Sequence, residues 1–498
     1  MHVLAQALQL IIDPYVLIVM LLSGMFGLFM GAMPGLSATM ATALLVPVTF
    51  FMDPVPALAS MVTATAMAIF AGDLPGVLLR IPGTPASAAY TNEAYEMTKQ
   101  GKAELALGTC LTASVFGGLI GSVVLATAAP ALAEIAIKFS SYEFFWLACL
   151  GLTCAALVST GSPVKGVASL LFGVFLSTVG LDPILGYPRF TFGYVELMGG
   201  VSFIPAMVGM FAIAEVLRSV ASLGERQEPV QASLRNIFAG VFPVLRRYWV
   251  NLLRGSAIGT LVGALPGAGG DIAAWINYAL SKRLSKTPEK FNTGHVEGLV
   301  DASASNNASL GGAWVPALVF GIPGDSITAI VIGVLYVKGM NPGPMVFIER
   351  PELIYAVFLS FFLANLLLIP LGYASIKGAK RLLLIPREIL MPIIMIFCVV
   401  GSFAINNTVF GVSLMLILGL IAYLMEENGI PVAPAILGLV LGGIIEENFM
   451  SSMMKSDGDL TVFFSRTVAA ALGTITIAIW FSPLFILVKR RLFPARRA

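Results

Sequence analysis

Four long apolar stretches of this 498-residue chain are each interrupted near the middle by a proline–glycine pair. They cover 14–52, 57–97, 251–280 and 303–337, and the pairs are Pro34-Gly35, Pro82-Gly83, Pro266-Gly267 and Pro323-Gly324. Proline removes a backbone donor and glycine permits unusual dihedrals, so each pair opens a helix. Opened backbone at membrane depth is tolerated only where protein or a water-filled cavity satisfies it. That the solvent is lipid follows from composition: 58% of residues are hydrophobic and 11% charged, whereas soluble domains are about a quarter charged. A soluble enzyme, a nucleic-acid binder and a disordered scaffold are thereby excluded, and the net charge of +2 leaves no polyanion footprint. Cys110, Cys149, Cys154 and Cys398 lie in apolar runs with no disulfide or zinc spacing, and His2 and His295 are too few for a histidine metal site. The N-terminal stretch lacks a basic n-region and reads as retained.

Single crossings are expected at about 103–127, 143–160, 166–181, 199–217, 352–375, 388–404, 408–425, 430–446 and 466–488, each approaching the roughly 20 residues a crossing needs. Basic residues set the orientation. Lys489, Arg490, Arg491, Arg496 and Arg497 put the C-terminus in the cytoplasm, as Lys377, Lys380, Arg381 and Arg387 do for their loop. The segment from Arg218 to Arg254 and the run Lys282, Arg283, Lys286 and Lys290 belong to the same side. Loops poor in basic groups, such as LDPILGYP and FAINNTVF, read as periplasmic. Counting back places the N-terminus outside, provided 14–52 and 251–280 are hairpins that do not cross. Each arm of 251–280 reaches only ~21 Å of a ~30 Å hydrocarbon core.

Three landmarks recur in order, and a repeat decides the fold. Gly27, Gly31, Pro34 and Gly35 are echoed by Gly259, Gly263, Pro266 and Gly267; Ile81-Pro82-Gly83 by Ile322-Pro323-Gly324; Pro205 and Gly209 by Pro434 and Gly438. Charges around the landmarks swap sides: FMDPVP in one half answers SKRLSKTPEK in the other. The expected fold is an all-α polytopic membrane protein of two inverted-topology repeats with re-entrant hairpins and broken helices, about 11 crossings plus two hairpins. The first repeat spans 1–222, a cytoplasmic linker 223–250, the second repeat 251–450, and a final crossing with a basic tail 451–498. Inverted repeats with broken helices point to a secondary transporter.

Half-helix N-termini offer N–H groups and partial positive charge to an anion, and freed carbonyls can hold Na⁺. Candidates beside the breaks are Ser37 and Thr39, Thr84 and Ser87, Ala268, Gly269 and Gly270, and Ser326 and Thr328. Asn306 and Asn307 are read as beginning the broken segment of the second half. The two glycine pairs are first of all helix-packing positions. Ser37, Thr84 and Ser326 suit either ligand contact or back-bonding to their own helices. Asp271 suits a helix N-terminal charge as well as a coupling group. Arg80 suits a carboxylate counter-ion, a snorkelling cation or an ion-pair partner equally.

The stretches GLFMGAMPGLSATMATALLVPVTF, IPGTPASAA, LVGALPGAGGDIAAWINY and SNNASLGGAWVPALVFGIPGDSITA resemble the large membrane subunit of the tripartite tricarboxylate transporters over nearly the whole chain. The resemblance implies a small four-helix membrane subunit and a periplasmic solute-binding protein as partners, the bacterial inner membrane as location, and cation-coupled import of citrate-like carboxylates. It also implies an elevator-like plan with no cofactor beyond a coupling ion, Na⁺ or H⁺. Carried over residue by residue, the central site comprises Pro34, Gly35, Leu36 and Ser37; Pro82, Gly83 and Thr84; Pro266, Gly267, Ala268 and Gly269; Asn306 and Asn307; and Pro323, Gly324, Asp325 and Ser326, with Arg80 beside it. Na⁺ is expected near Ser37, Gly267, Asn307 and Thr328. Two positions depart from the family pattern: Ala302-Ser303 stands where Pro-Glu is usual, and Arg80 where Asn is common. Both changes raise local positive potential and favour an anionic substrate.

In the cycle so implied, the binding protein delivers a carboxylate, the Pro-Gly tips enclose it, and a hairpin-bearing domain moves against a scaffold. Segments 131–141 and 377–388 are read as connectors between the two. Rival classes are a channel, an assembly subunit without a site, and an intramembrane protease. The last is disfavoured because Ala268-Gly269-Gly270-Asp271 is not Gly-x-Gly-Asp and no HExxH is present.

Overall fold

A computed structural model describes residues 2–158, 162–221, 234–383 and 387–492. These residues are almost wholly helical; the strands among them are Gly180–Leu181 and Pro188–Arg189, paired antiparallel. In the turn between them Asp182 accepts the backbone N–H groups of Leu185 and Ile184, which hold its carboxyl below the usual range. Among the described residues, seven helices are long and apolar enough to cross a membrane: Pro14–Ala32, Pro54–Leu79, Ala103–Ala136, Phe203–Ala221, Pro351–Ala379, Val409–Glu427 and Ala433–Lys455. Seven further apolar helices of 10–17 residues accompany them. Large apolar side chains such as Leu22, Phe51, Leu171, Ile396 and Ile417 are more than half exposed, as a surface solvated by lipid requires. The chain is a multi-pass α-helical membrane protein.

Proline at the first helical position starts many of the elements. Asp13-Pro14, Asp53-Pro54, Ser162-Pro163 and Arg350-Pro351 all open helices this way, where the missing N–H costs nothing. Two helices are buried on all faces, from Val55 to Ala71 and from Glu297 to Val319. A helix buried on every side belongs at the centre, and in the second one Glu297, Asp301, Ser305 and Ser309 form a polar row that is buried as well.

Each of the two central helices takes a hairpin against it through glycine. The first hairpin is Pro14–Ala32 with Ala38–Thr49, the second Trp249–Gly263 with Gly269–Leu284. A Cβ at Gly27 or Gly31 would stand 2.1 or 2.2 Å from the carbonyl oxygens of Ala64 and Ala68. At Gly259 and Gly263 it would stand 2.3 Å from those of Ser305 and Ser309. The backbones touch, which is the packing role expected of these glycines. The halves also interlock: Gly117 and Gly121 of Ala103–Ala136 seat on Ala304 and Ala308, Gly173 on Ala435, and Gly209 on Met415.

Several expectations need correction. Asn306 and Asn307 do not begin a helix; it begins at Val296, after Gly294 and the His295 cap, and the asparagines lie mid-helix. The segment 131–141 is no separate arm, because Ala103–Ala136 runs unbroken for 34 residues; likewise Pro351–Leu382 absorbs the start of 377–388. The first arm of the first hairpin has 19 residues, long enough to cross, whereas the arms of the second have 15 and 16. Within the expected linker 223–250, Val241–Arg247 is helical, while 222–233 and the tail 493–498 lie outside the described residues.

Candidate functional site

Each break is shaped by local chemistry. At the hairpin tips Gly35 and Gly267 take left-handed conformations, with φ of 88° and 80°. Beyond the tips, Ser37 caps Ala38–Thr49 by accepting the Met40 N–H at 3.1 Å, and Gly269 opens Gly269–Leu284. The two broken helices end alike. Arg80 and Gly321 are left-handed C-caps at φ 61° and 67°, and the N–H groups of Ile81 and Ile322 return to the carbonyls of Pro75 and Pro316 at 3.4 and 3.3 Å. Gly83 then packs against Gly72 and the Gly31 carbonyl, and Gly324 against Ala313 and the Gly263 carbonyl. Past these seats Thr84 and Ser87 exchange reciprocal backbone–hydroxyl bonds at 3.1 Å. Asp325 and Thr328 form a capping box at the start of Ser326–Val337.

All four breaks border one cavity of about 600 Å³. Of the expected site residues it is lined by Gly35, Leu36, Ser37, Pro82, Gly83, Thr84, Gly267, Ala268, Gly269, Asn306, Asp325 and Ser326. Pro34, Pro266, Pro323 and Gly324 stand behind it as the turns that shape it, and Asn307 and Thr328 are also outside the lining. Asn307 is buried, donating to the Ala66 carbonyl at 3.4 Å; its Oδ1 has no partner among the described residues. Thr328 is committed to Asp325. Arg80 is exposed, bonded to Asn92 at 3.3 Å and absent from the lining. The local positive potential expected of it is therefore not delivered to the cavity.

Asp271, read from the sequence as a helix N-terminal charge or a coupling group, lines the cavity, whereas Glu215, Arg218 and Glu426 in the lining were not foreseen as site residues. Asp271 enters through the first turn of Gly269–Leu284 and accepts the Ala86 N–H at 3.2 Å; Trp275 donates to the Pro85 carbonyl at 3.2 Å. The second hairpin is thus clasped to the first Ile-Pro-Gly break. Along one wall Met210 and Phe211 sit on a π-helical turn, Val208–Ile213, within Phe203–Ala221. Such turns are frequent at functional sites. At the rim Arg218 pairs with Glu215 at 2.8 Å and with Glu426. The signal available was Glu215 and Arg218 three apart in an apolar helix, since charges in such segments are functional by default. The lining carries four carboxyls (Glu215, Asp271, Asp325, Glu426) and one guanidinium, with helix N-termini at Ala38, Gly269 and Ser326 facing inward. Such an arrangement can hold an anion on the N-termini together with cations on the carboxyls.

A lipid-solvated helical bundle with a cavity of mixed polar and apolar lining built at its own helix breaks belongs to the class of membrane transport proteins. Residues 17–437 match the family described as the tripartite tricarboxylate transporter TctA family. The chain belongs to that family. It is similar to an uncharacterized 52.8 kDa protein of the TAR-I ttuC' 3' region of Agrobacterium vitis, 34% identical over 454 residues, covering 91% of this chain and 90% of that one. It is also similar to an uncharacterized protein of the TAR-II ttuC' 3' region of the same organism, 36% identical over 43% of this chain and 88% of that one. No solved structure matches.

Proposed function

We propose that this chain is the large transport subunit of a binding-protein-dependent secondary importer of carboxylates, driven by a co-transported cation. The observation that carries the reading is the convergence of all four Pro-Gly breaks on one cavity. Three helix N-termini there attract a carboxylate, and the surplus of lining carboxyls calls for cations to enter with it. Ser37, Thr84, Gly267–Gly269, Asn306 and Ser326 would contact substrate or ion. Arg80 is left out of this site.

The halves 1–222 and 251–450 are proposed to be inverted repeats. Support comes from contacts in register: Gly27 on Ala64 against Gly259 on Ser305, Gly31 on Ala68 against Gly263 on Ser309. The second partner is displaced by 241 residues in both cases. Asn307 reaches the Ala66 carbonyl, its own counterpart under that displacement, so the pair would straddle the pseudo-two-fold axis. The hairpins and broken helices would form the moving body, and the outer helices, Phe203–Ala221 and Val409–Glu427 among them, the scaffold. With Arg218 and Glu426 at the end that the basic-residue distribution assigns to the cytoplasm, a cavity mouth there would make this an inward-facing conformation. The partners are a small four-helix membrane subunit and a periplasmic binding protein, in a bacterial inner membrane with the C-terminus inside.

The test is uptake into proteoliposomes holding this chain and its small subunit. Labelled citrate and a panel of mono-, di- and tricarboxylates are offered with and without the cognate binding protein and a Na⁺ or pH gradient. Accumulation that needs both the binding protein and a gradient supports the proposal; equilibration without a gradient contradicts coupling, and no flux of any carboxylate contradicts the substrate class.

A further inference from the structure

Behind the cavity wall lies a carboxyl group that the transport site does not use. Asp73 follows Gly72, the residue on which Gly83 packs, and is 2% exposed. Its Oδ1 accepts the Tyr90 hydroxyl at 2.5 Å, and its Oδ2 has no hydrogen-bond partner among the described residues. Around it are the Cys110 thiol and, against that thiol, the buried hydroxyl of Ser303. The Tyr90 hydroxyl faces Asn306, which lines the cavity. Tyr90 and Cys110 are the titratable groups that meet Asp73. Glu93, on the helix after Tyr90, turns away to the backbone N–H groups of Asn292, Gly294 and His295. Asp301, on the second central helix, is paired with Arg254. No cation of the described residues pairs with Asp73.

A carboxylate withdrawn from water without a cationic partner is not sustained as an anion. A metal ion would need several converging oxygen ligands, whereas one carboxyl oxygen here is taken by Tyr90 and a thiol occupies another side. The corresponding position of the other half, 241 residues on, is Trp314, so the fold itself does not require an acid. From this geometry we infer that Asp73 is the proton-carrying site of the transporter, connected to the substrate cavity through Tyr90 and Asn306. The inference rests on the transport reading and adds the ion and its residue. When the Gly72–Gly83 seat shifts during the cycle, the Asp73 pocket opens to the cavity, and the bound proton is exchanged there.

The experiment is infrared difference spectroscopy of the full-length protein titrated with pH, which needs no substrate. Wild type shows a protonated-carboxyl C=O band that disappears at alkaline pH; Asp73→Asn lacks it. Tyr90→Phe, which removes a single hydrogen bond and keeps the ring, moves the band to higher wavenumber. In proteoliposomes of the assembled transporter, citrate-dependent proton influx is lost in Asp73→Asn. An unchanged band in Asp73→Asn, a band displaced by Na⁺ at constant pH, or undiminished citrate-dependent proton influx in Asp73→Asn overturns the assignment. A wild type that shows the Asp73 band but transports no carboxylate contradicts the transport reading instead.

Discussion

Two single residues show how far side-chain chemistry departs from what position in the sequence suggests. Arg80, one residue before the first Ile-Pro-Gly, suits a counter-ion, a snorkelling cation or an ion-pair partner by sequence alone. In the fold it is a left-handed helix cap at the place where the other half has Gly321. A non-glycine residue there costs roughly 1–2 kcal/mol. Arg80→Gly is therefore expected to raise unfolding free energy by about 1 kcal/mol in thermal or denaturant assays, with carboxylate affinity unchanged. Weaker affinity would return Arg80 to the site. Glu93 is the opposite case, an acid in an ordinary-looking polar stretch that gathers the N–H groups of Asn292, Gly294 and His295 and the Tyr278 hydroxyl. Its partners lie some 200 residues away, which no local pattern reveals. Glu93→Ala removes the acceptor of those partly buried donors and is expected to cost about 2 kcal/mol, read as a lowered melting temperature of the purified protein. A wild-type melting temperature would mean that the 292–295 loop is held by other contacts.

Among the elements, the broken helices were legible because their physics is local. A Pro-Gly pair inside an apolar run must open the helix, and its position is set by covalent chemistry. Helix starts away from such pairs were not legible. Asn306 and Asn307 looked like a beginning because the apolar run resumes near them, yet the buried helix begins ten residues earlier, carrying Glu297 and Asp301 into the interior through their pairing with Asn251 and Arg254. The glycine seats make a sharper prediction. Gly31→Val and Gly263→Val push side chains into the carbonyls of Ala68 and Ser309, and each is expected to cost at least about 3 kcal/mol. Monodisperse yield in size-exclusion chromatography should fall alike for both; a tolerated valine in one half alone would argue against equivalent packing of the two.

For the whole molecule, the cavity was legible as a set of hinge residues and illegible as an electrostatic object. Ser37, Thr84, Gly269 and Ser326 were foreseen from their nearness to a break, and Asn306 from the family resemblance and its polar pair with Asn307. Asp271, four residues past its break, was weighed as a coupling group; Glu215, Arg218 and Glu426 enter because tertiary packing brings together helices that are distant in the chain, Arg218 and Glu426 being separated by 208 residues. These groups change the account from a positively charged anion trap to a mixed site in which cations balance lining carboxyls. If the Arg218–Glu426 pair guards a cytoplasmic rim, Arg218→Ala should speed thiol-reagent entry from inside-out vesicles several-fold; an unchanged rate would place the mouth elsewhere. The most direct test of the central claim is substrate protection of a cysteine at Ser326, in a background where Cys110, Cys149, Cys154 and Cys398 have been replaced. Thiol labelling of Ser326→Cys should slow progressively as a transported carboxylate is added. Labelling that stays constant while the same preparation transports that carboxylate would show that the four breaks do not form its binding site.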